Sequence, residues 1–89
     1  MLTADKKKLR AKAHSLKPVI MIGQSGLTEA VLSEIELALD NHELIKVKIQ
    51  SDDRDLRNQI GTEICLKTEA EFIQSIGKII VIYRKNPEN

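Results

Sequence analysis

Apolar residues recur along this chain with two periods, and each change of period marks a new element. Leu9, Ala13 and Leu16, with Leu2 ahead of them, fall on one stripe at helical spacing, which predicts a first helix from Thr3 to Leu16. Lys6, Arg10 and Lys17 lie along one flank of that stripe, with Lys7 and His14 further round. Pro18 stops the helix and forces the preceding residue toward extended geometry. Val19 to Ile22 is continuously apolar and predicts a short buried strand. The glycine loop Gly23-Gln24-Ser25-Gly26 follows it. Thr28 is a good N-cap for a second helix from Glu29 to Asn41, and Leu27 and Leu32 have the spacing of a hydrophobic staple. Val31, Ile35 and Leu39 form that helix's buried stripe.

From Leu44 to Gln50 the period shortens to two. Ile45, Val47 and Ile49 point one way, Lys46 and Lys48 the other, as in a half-buried strand. The acidic group Asp52-Asp53-Arg54-Asp55 caps a third helix whose stripe is Leu56, Ile60 and Ile64. Gly61 in its interior disfavours the helix by about 1 kcal/mol against alanine, which suggests a close packing contact. Phe72 to Ile76 and Ile79 to Arg84 are two strands joined across Gly77-Lys78, a hairpin signature.

The predicted fold is therefore an α/β, two-layer α-β-α-β-α-β-β domain with a four-stranded mixed sheet. Strands separated by helices should be parallel, and the last two antiparallel. The first and fourth strands are apolar at nearly every position and are expected at the centre. With 89 residues, 42% of them hydrophobic, the chain suits one small domain, with 1–85 as its body and 86–89 as a loose tail. The single cysteine, Cys65, allows no internal disulfide and forms no zinc site alone. No run approaches a membrane span, and no apolar stretch follows the basic N-terminus as in a signal peptide, so the chain reads as cytoplasmic.

The net charge of +1 hides an asymmetry. Residues 1–22 carry six basic groups against one acidic, a net of +5; the remainder carries eight against twelve, a net of −4. This is either a local basic patch that points toward nucleic acid or a solvated lysine-rich helix. The glycine loop weighs on the first side. A strand feeding a glycine turn that opens a helix presents free N–H groups at the positive end of the helix dipole, a ready phosphate site.

The motifs also resemble a known family. The stretch from Leu9 to Val19, followed by Ile22 to Thr28, looks like the opening of a CRM domain (chloroplast RNA splicing and ribosome maturation). His42 to Ile49 and Ile76 to Arg84 continue the match, and a stand-alone domain of this length is similar to the bacterial YhbY-like proteins. The resemblance implies an RNA-binding protein of the large ribosomal subunit or its precursors. It also implies a fold similar to the C-terminal domain of bacterial translation initiation factor three, and a GxxG loop that clamps the RNA backbone as in KH domains. Two positions depart from the family. Gln24 stands where lysine is frequent, which removes a phosphate-pairing charge. Glu69 stands where glycine is common, so the third helix is expected to end differently.

The expected RNA-binding set is Gly23, Gln24, Ser25 and Gly26 with Lys6, Lys7, Arg10, His14 and Lys17. Each real phosphate contact should steepen the salt dependence by about 0.7–0.9 in log–log slope. Lys46 and Lys48 either extend the patch or form the polar side of a half-exposed strand, and Arg84 and Lys85 carry the same ambiguity. Neither His14 nor His42 has a metal-ligand partner at suitable spacing, and Asp52, Asp53 and Asp55 suit helix capping better than magnesium, so no metal, no cofactor and no catalytic set are expected. Phe72 and Tyr83 are the only aromatics, with Phe72 assigned to the core. Recognition should then rest on backbone and shape rather than stacked bases, with structured RNA preferred. The chain is expected to be monomeric and non-enzymatic, with a role in ribosome assembly. The alternative is a module that binds a ribosomal protein or assembly factor.

Overall fold

The computed structural model describes residues 3–87. Its elements run α1 (Thr3–Ala13), β1 (Ile20–Ile22), α2 (Glu29–His42), β2 (Leu44–Ile49), α3 (Arg54–Thr68), β3 (Glu71–Ile76) and β4 (Ile79–Tyr83). This is the predicted order. The four-stranded sheet has the order β1-β2-β4-β3, with β1 parallel to β2 and β4 antiparallel to both its neighbours. Three strands thus run one way, and β4 returns between β2 and β3. Residues 88–89 of the expected tail, and Leu2 of the first stripe, lie outside the described residues.

Alternation along the strands creates two cores. Ile45, Val47 and Ile49 of β2 and Ile80 and Ile82 of β4 join Ile35 and Leu39 of α2 and Ile64 of α3. Leu44, Ile73 and Val81 turn to the opposite face, where Ala13, Leu9 and Leu16 cover them. The sheet therefore carries helices on both faces, α2 and α3 on one and α1 on the other, rather than forming a two-layer stack. The physical reason is Leu44 and Val81. Each sits next in sequence to residues of the first core, so its side chain must emerge on the far face and needs its own cover.

Three further expectations change. β4 is central as expected, but β1 is an edge strand. Its continuous apolar run is buried only at alternate positions: Ile20 and Ile22 are 7% and 0% exposed, Val19 and Met21 52% and 56%. α1 stops at Ala13, short of Leu16. The Leu16 N–H folds back to the Ala13 carbonyl (2.9 Å) and the Ser15 hydroxyl donates to the Lys12 carbonyl (3.1 Å), so Lys17 leaves the helix flank. Asn86, the first residue of the expected tail, is not loose: its N–H donates to Glu43 Oε2 (2.7 Å) and its side-chain amide donates to the Asp40 carbonyl (3.0 Å).

The helix caps follow the sequence closely. Thr28 Oγ1 accepts from the Val31 N–H, and Asp53 accepts from the N–H groups of Asp55 and Leu56. Gly61 makes the expected close approach: a Cβ there would lie 2.6 Å from Phe72 Cε2. At the end of α3, Glu69 adopts the left-handed conformation (φ 59°), and the Ala70 N–H reaches back to the Cys65 carbonyl at 3.1 Å. That closure is the Schellman motif that glycine normally serves. The helix thus ends in the ordinary way despite Glu69, with Cβ strain accepted in return. A carboxylate also stands at the negative end of the dipole. Glu69→Gly is expected to stabilise the fold by about 1 kcal/mol, seen as a higher urea midpoint with an unchanged m-value. A lower midpoint would contradict this account of the cap.

Candidate nucleic-acid interface

The glycine loop is a tight turn closed by Gly26 N–H donating to the Gly23 carbonyl (3.1 Å). Gly26 has φ +72°, a conformation that side-chain-bearing residues resist. No atom lies within 4 Å of where a Cβ would stand at Gly23 or Gly26, so the top of the loop is open. The turn leads directly into α2. The Thr28 cap takes the Val31 N–H, and the Thr28 carbonyl takes that of Leu32 (2.9 Å). The N–H groups ahead of them in the first turn point out of the helix toward the loop.

A second loop lies beside the first. The Gln50 N–H donates to the Ile22 carbonyl (2.8 Å), which holds residues 50–53 against the end of β1. Arg57 Nη1 donates to the Ser51 carbonyl (2.6 Å), and Lys78 pairs with Asp52 (3.0 Å), so this segment is braced from α3 and from the β3–β4 turn. A hydrogen bond and charge from Lys78 hold Asp52 below its usual carboxylate range. Between the two loops runs a cleft of about 420 Å³, walled by Gly23, Gln24, Gly26, Ile49, Leu56 and Ile60. Leu56, expected on the buried stripe, is 42% exposed and forms part of this wall. That was hidden in the sequence because its spacing is identical to that of a core residue.

On the α1 side of the sheet, the register sets Met21, Lys48, Ile79 and Ile76 in one row across all four strands. α1 leaves this row uncovered, and Met21 and Ile76 are each 56% exposed. Lys48 of β2 pairs in register with Met21, which is two residues before Gly23. Lys46 sits one alternation away, and its ammonium donates to the Leu16 carbonyl (3.0 Å), holding the α1–β1 connection. Lys7, His14 and Lys17 are exposed, and Lys6 and Arg10 are half-buried on the flank of α1 opposite Lys12. Lys17 and the C-terminal end of α1 are at the start of β1, whereas the glycine loop is at its end. The structure thus separates them by the length of the strand.

Arg84 does not join this surface. Its guanidinium donates to Glu36 Oε2 (2.7 Å), the Thr68 carbonyl (2.9 Å) and Asp40 Oδ1 (2.8 Å), and its side chain is only 20% exposed. It clamps the C-terminal ends of α2 and α3 to β4. The sequence showed a basic strand end; its acceptors lie 16 to 48 residues away and leave no local signal.

Cys65 offers no nucleophile. Burial, and then the Glu71 carboxylate, push its thiol up to about 11, so it stays protonated at neutral pH. Among the described residues, no group of three or more His, Cys, Asp or Glu is placed to hold a metal ion. No described helix is long and apolar enough to cross a membrane.

Residues 1–84 match the model of the CRS1 / YhbY (CRM) domain. The chain belongs to that family. It is 49% identical over 86 residues to an RNA-binding protein of Haemophilus influenzae, a match spanning 97% of this chain and 87% of the relative. It is 47% identical over 84 residues to a "Probable RNA-binding protein" of Pseudomonas aeruginosa, covering 94% of this chain and 81% of that one. The solution structure of the Staphylococcus aureus protein SAV1595 superposes with a TM-score of 0.87 at 38% identity, covering all of this CRM domain and 94% of the other chain. The mixed sheet and three helices are thus the architecture of a homologue as well as of this CRM domain.

Proposed function

We propose that this CRM-domain protein binds RNA through its glycine loop and acts on ribosomal RNA during assembly of the large subunit. The observation that carries the reading is the loop itself: an open turn with Gly26 at φ +72°, set over the first turn of α2. Donors fixed in that geometry suit a phosphate and need no reorganisation to receive one. Gln24 supplies no charge there; Lys48, in register with Met21, is our candidate for that charge. The neighbouring cleft between Ile49, Leu56 and Ile60 is of ligand size, within the roughly 300–1,000 Å³ common for binding pockets. It suits a base next to the held phosphate. Family membership and the names of the two relatives support RNA as the partner, and the ribosomal role follows from the family resemblance.

The test is the affinity of the whole chain for large-subunit ribosomal RNA fragments across a salt series, with DNA of matched sequence as control. The reading predicts preference for RNA and a log–log slope of about −2 to −4, the equivalent of several phosphate contacts. Absence of RNA binding at low salt would defeat it. Met21 and Ile76, exposed at the two edges of an apolar row that includes the half-buried Ile79, favour a second reading, a protein partner on the sheet face. That reading predicts binding that survives high salt.

A further inference from the structure

A smaller cleft lies at the other end of β1, where α1, α2 and the start of β2 converge. It holds about 290 Å³; Leu16, Val19 and Leu44 form its apolar lining, and Lys12, Lys17 and His42 stand round it. The connection that builds it is fixed. Lys46 holds the Leu16 carbonyl, and the Val19 N–H donates to the Lys46 carbonyl at 3.1 Å. Of the residues lining the cleft, only Lys17 belongs to the set expected from the sequence. Lys12 and His42 are placed here by the fold.

We infer that this cleft is a second nucleotide site, which takes a base against Leu16 and Val19 with its phosphate on Lys12 and Lys17. The inference rests on the RNA reading above. Three observations commit it to RNA. The lining is apolar and the rim cationic, which complements a nucleotide's neutral ring and anionic linkage. The cavity is of a size for one ring and too small for a helix. And β1 leads from the cleft to the glycine loop: Val19 and Met21 are both exposed along it, and the register sets Lys48 beside Met21 on the same face. Val19 and Gly23 are four residues apart on an extended chain, roughly 13 Å at ~3.3 Å per residue. One RNA strand can span that distance in a few nucleotides, with the edge strand as its rail. Such a path also explains how α1 and the loop serve one ligand from opposite ends of β1.

The experiment is a titration of the full chain, labelled for amide NMR, with a single-stranded RNA decamer of mixed sequence. Amides of Gly23 to Gly26 report the loop; those of Lys17, Val19, His42 and Leu44 report the cleft. Both sets should shift and saturate together. Val19→Glu, at an exposed site, should weaken binding about tenfold, the equivalent of losing one well-held base, while the loop amides still respond. Lys12→Gln with Lys17→Gln should flatten the salt slope by about 1.4. Loop shifts without cleft shifts would overturn the second site and leave the loop reading intact. Cleft shifts without loop shifts would do the reverse. Affinity unchanged in a folded Val19→Glu variant would also overturn the second site. So would a cleft silent to RNA but shifted by an acidic leucine-rich peptide, which would assign it to a protein.

Discussion

Gly61→Val is expected to destabilise the fold by about 2–3 kcal/mol, or roughly 10–20 °C in Tm for a domain of this size. Helix propensity alone predicts the opposite sign, because valine is the better helix former by a few tenths of a kcal/mol. Packing decides the outcome. The new Cβ would stand 2.6 Å from Phe72 Cε2 and 3.3 Å from Ile80 Cδ1, before either γ-methyl is placed. The Phe72 backbone is fixed by its pairing with Ile82 across the hairpin, beside the bulge between Phe72 and Gln74, so only its ring can yield. Gly61→Ala should fall between the two, with propensity offsetting part of the clash. Urea midpoints for the pair check this, and a Val variant as stable as the parent would show that α3 does not need its close approach to the sheet.

Arg84→Ala is the second large change, expected at about 2–3 kcal/mol. The substitution leaves the carboxylates of Glu36 and Asp40 facing each other and strips the Thr68 carbonyl of its donor. A fully buried ion pair broken in this way costs about 3–5 kcal/mol. The figure is lower here because Glu36 and Asp40 are 42% and 61% exposed and water screens them. The guanidinium is occupied within the fold, so RNA affinity per folded molecule should not change. A stable variant with weakened RNA binding would instead return Arg84 to the interface.

These two positions mark where the sequence was legible and where it was not. Gly61 announced itself, because a glycine inside a strong helical stripe needs a reason and close packing is the commonest one. The element order was equally open to reading: the caps at Thr28 and Asp53 and the turn at Gly77 are local chemistry. Arg84, Leu56 and the edge position of β1 depend on which strands pair and which helix lands on which face. Hydrophobicity reports burial only as a tendency, so a run such as Val19 to Ile22 looks the same in a central strand as at an edge whose outer face is exposed. Glu69 is a different lesson. A motif residue was missing, but the geometry it serves persisted, since about 1 kcal/mol of strain is less than the loss from opening the end of α3.

The basic N-terminal segment was visible as charge, but charge alone did not give direction. Direction comes from β1, which places the glycine loop at one end and Lys12, Lys17 and His42 at the other. The cleft beside the loop was missed for the same reason. Ile49, Leu56 and Ile60 read as core residues, and only the packing of two loops at one end of the sheet turns them into a wall.

The most direct test compares Gly26→Asp with Gly26→Asn for affinity to a large-subunit ribosomal RNA fragment at low salt. Both side chains meet the same backbone conformation, and both tolerate it better than most, so they differ mainly in charge. The account predicts that the Asp variant binds at least about tenfold more weakly than the Asn variant, because a carboxylate would occupy the phosphate position. Equal affinity in two folded variants would contradict the loop as the phosphate site.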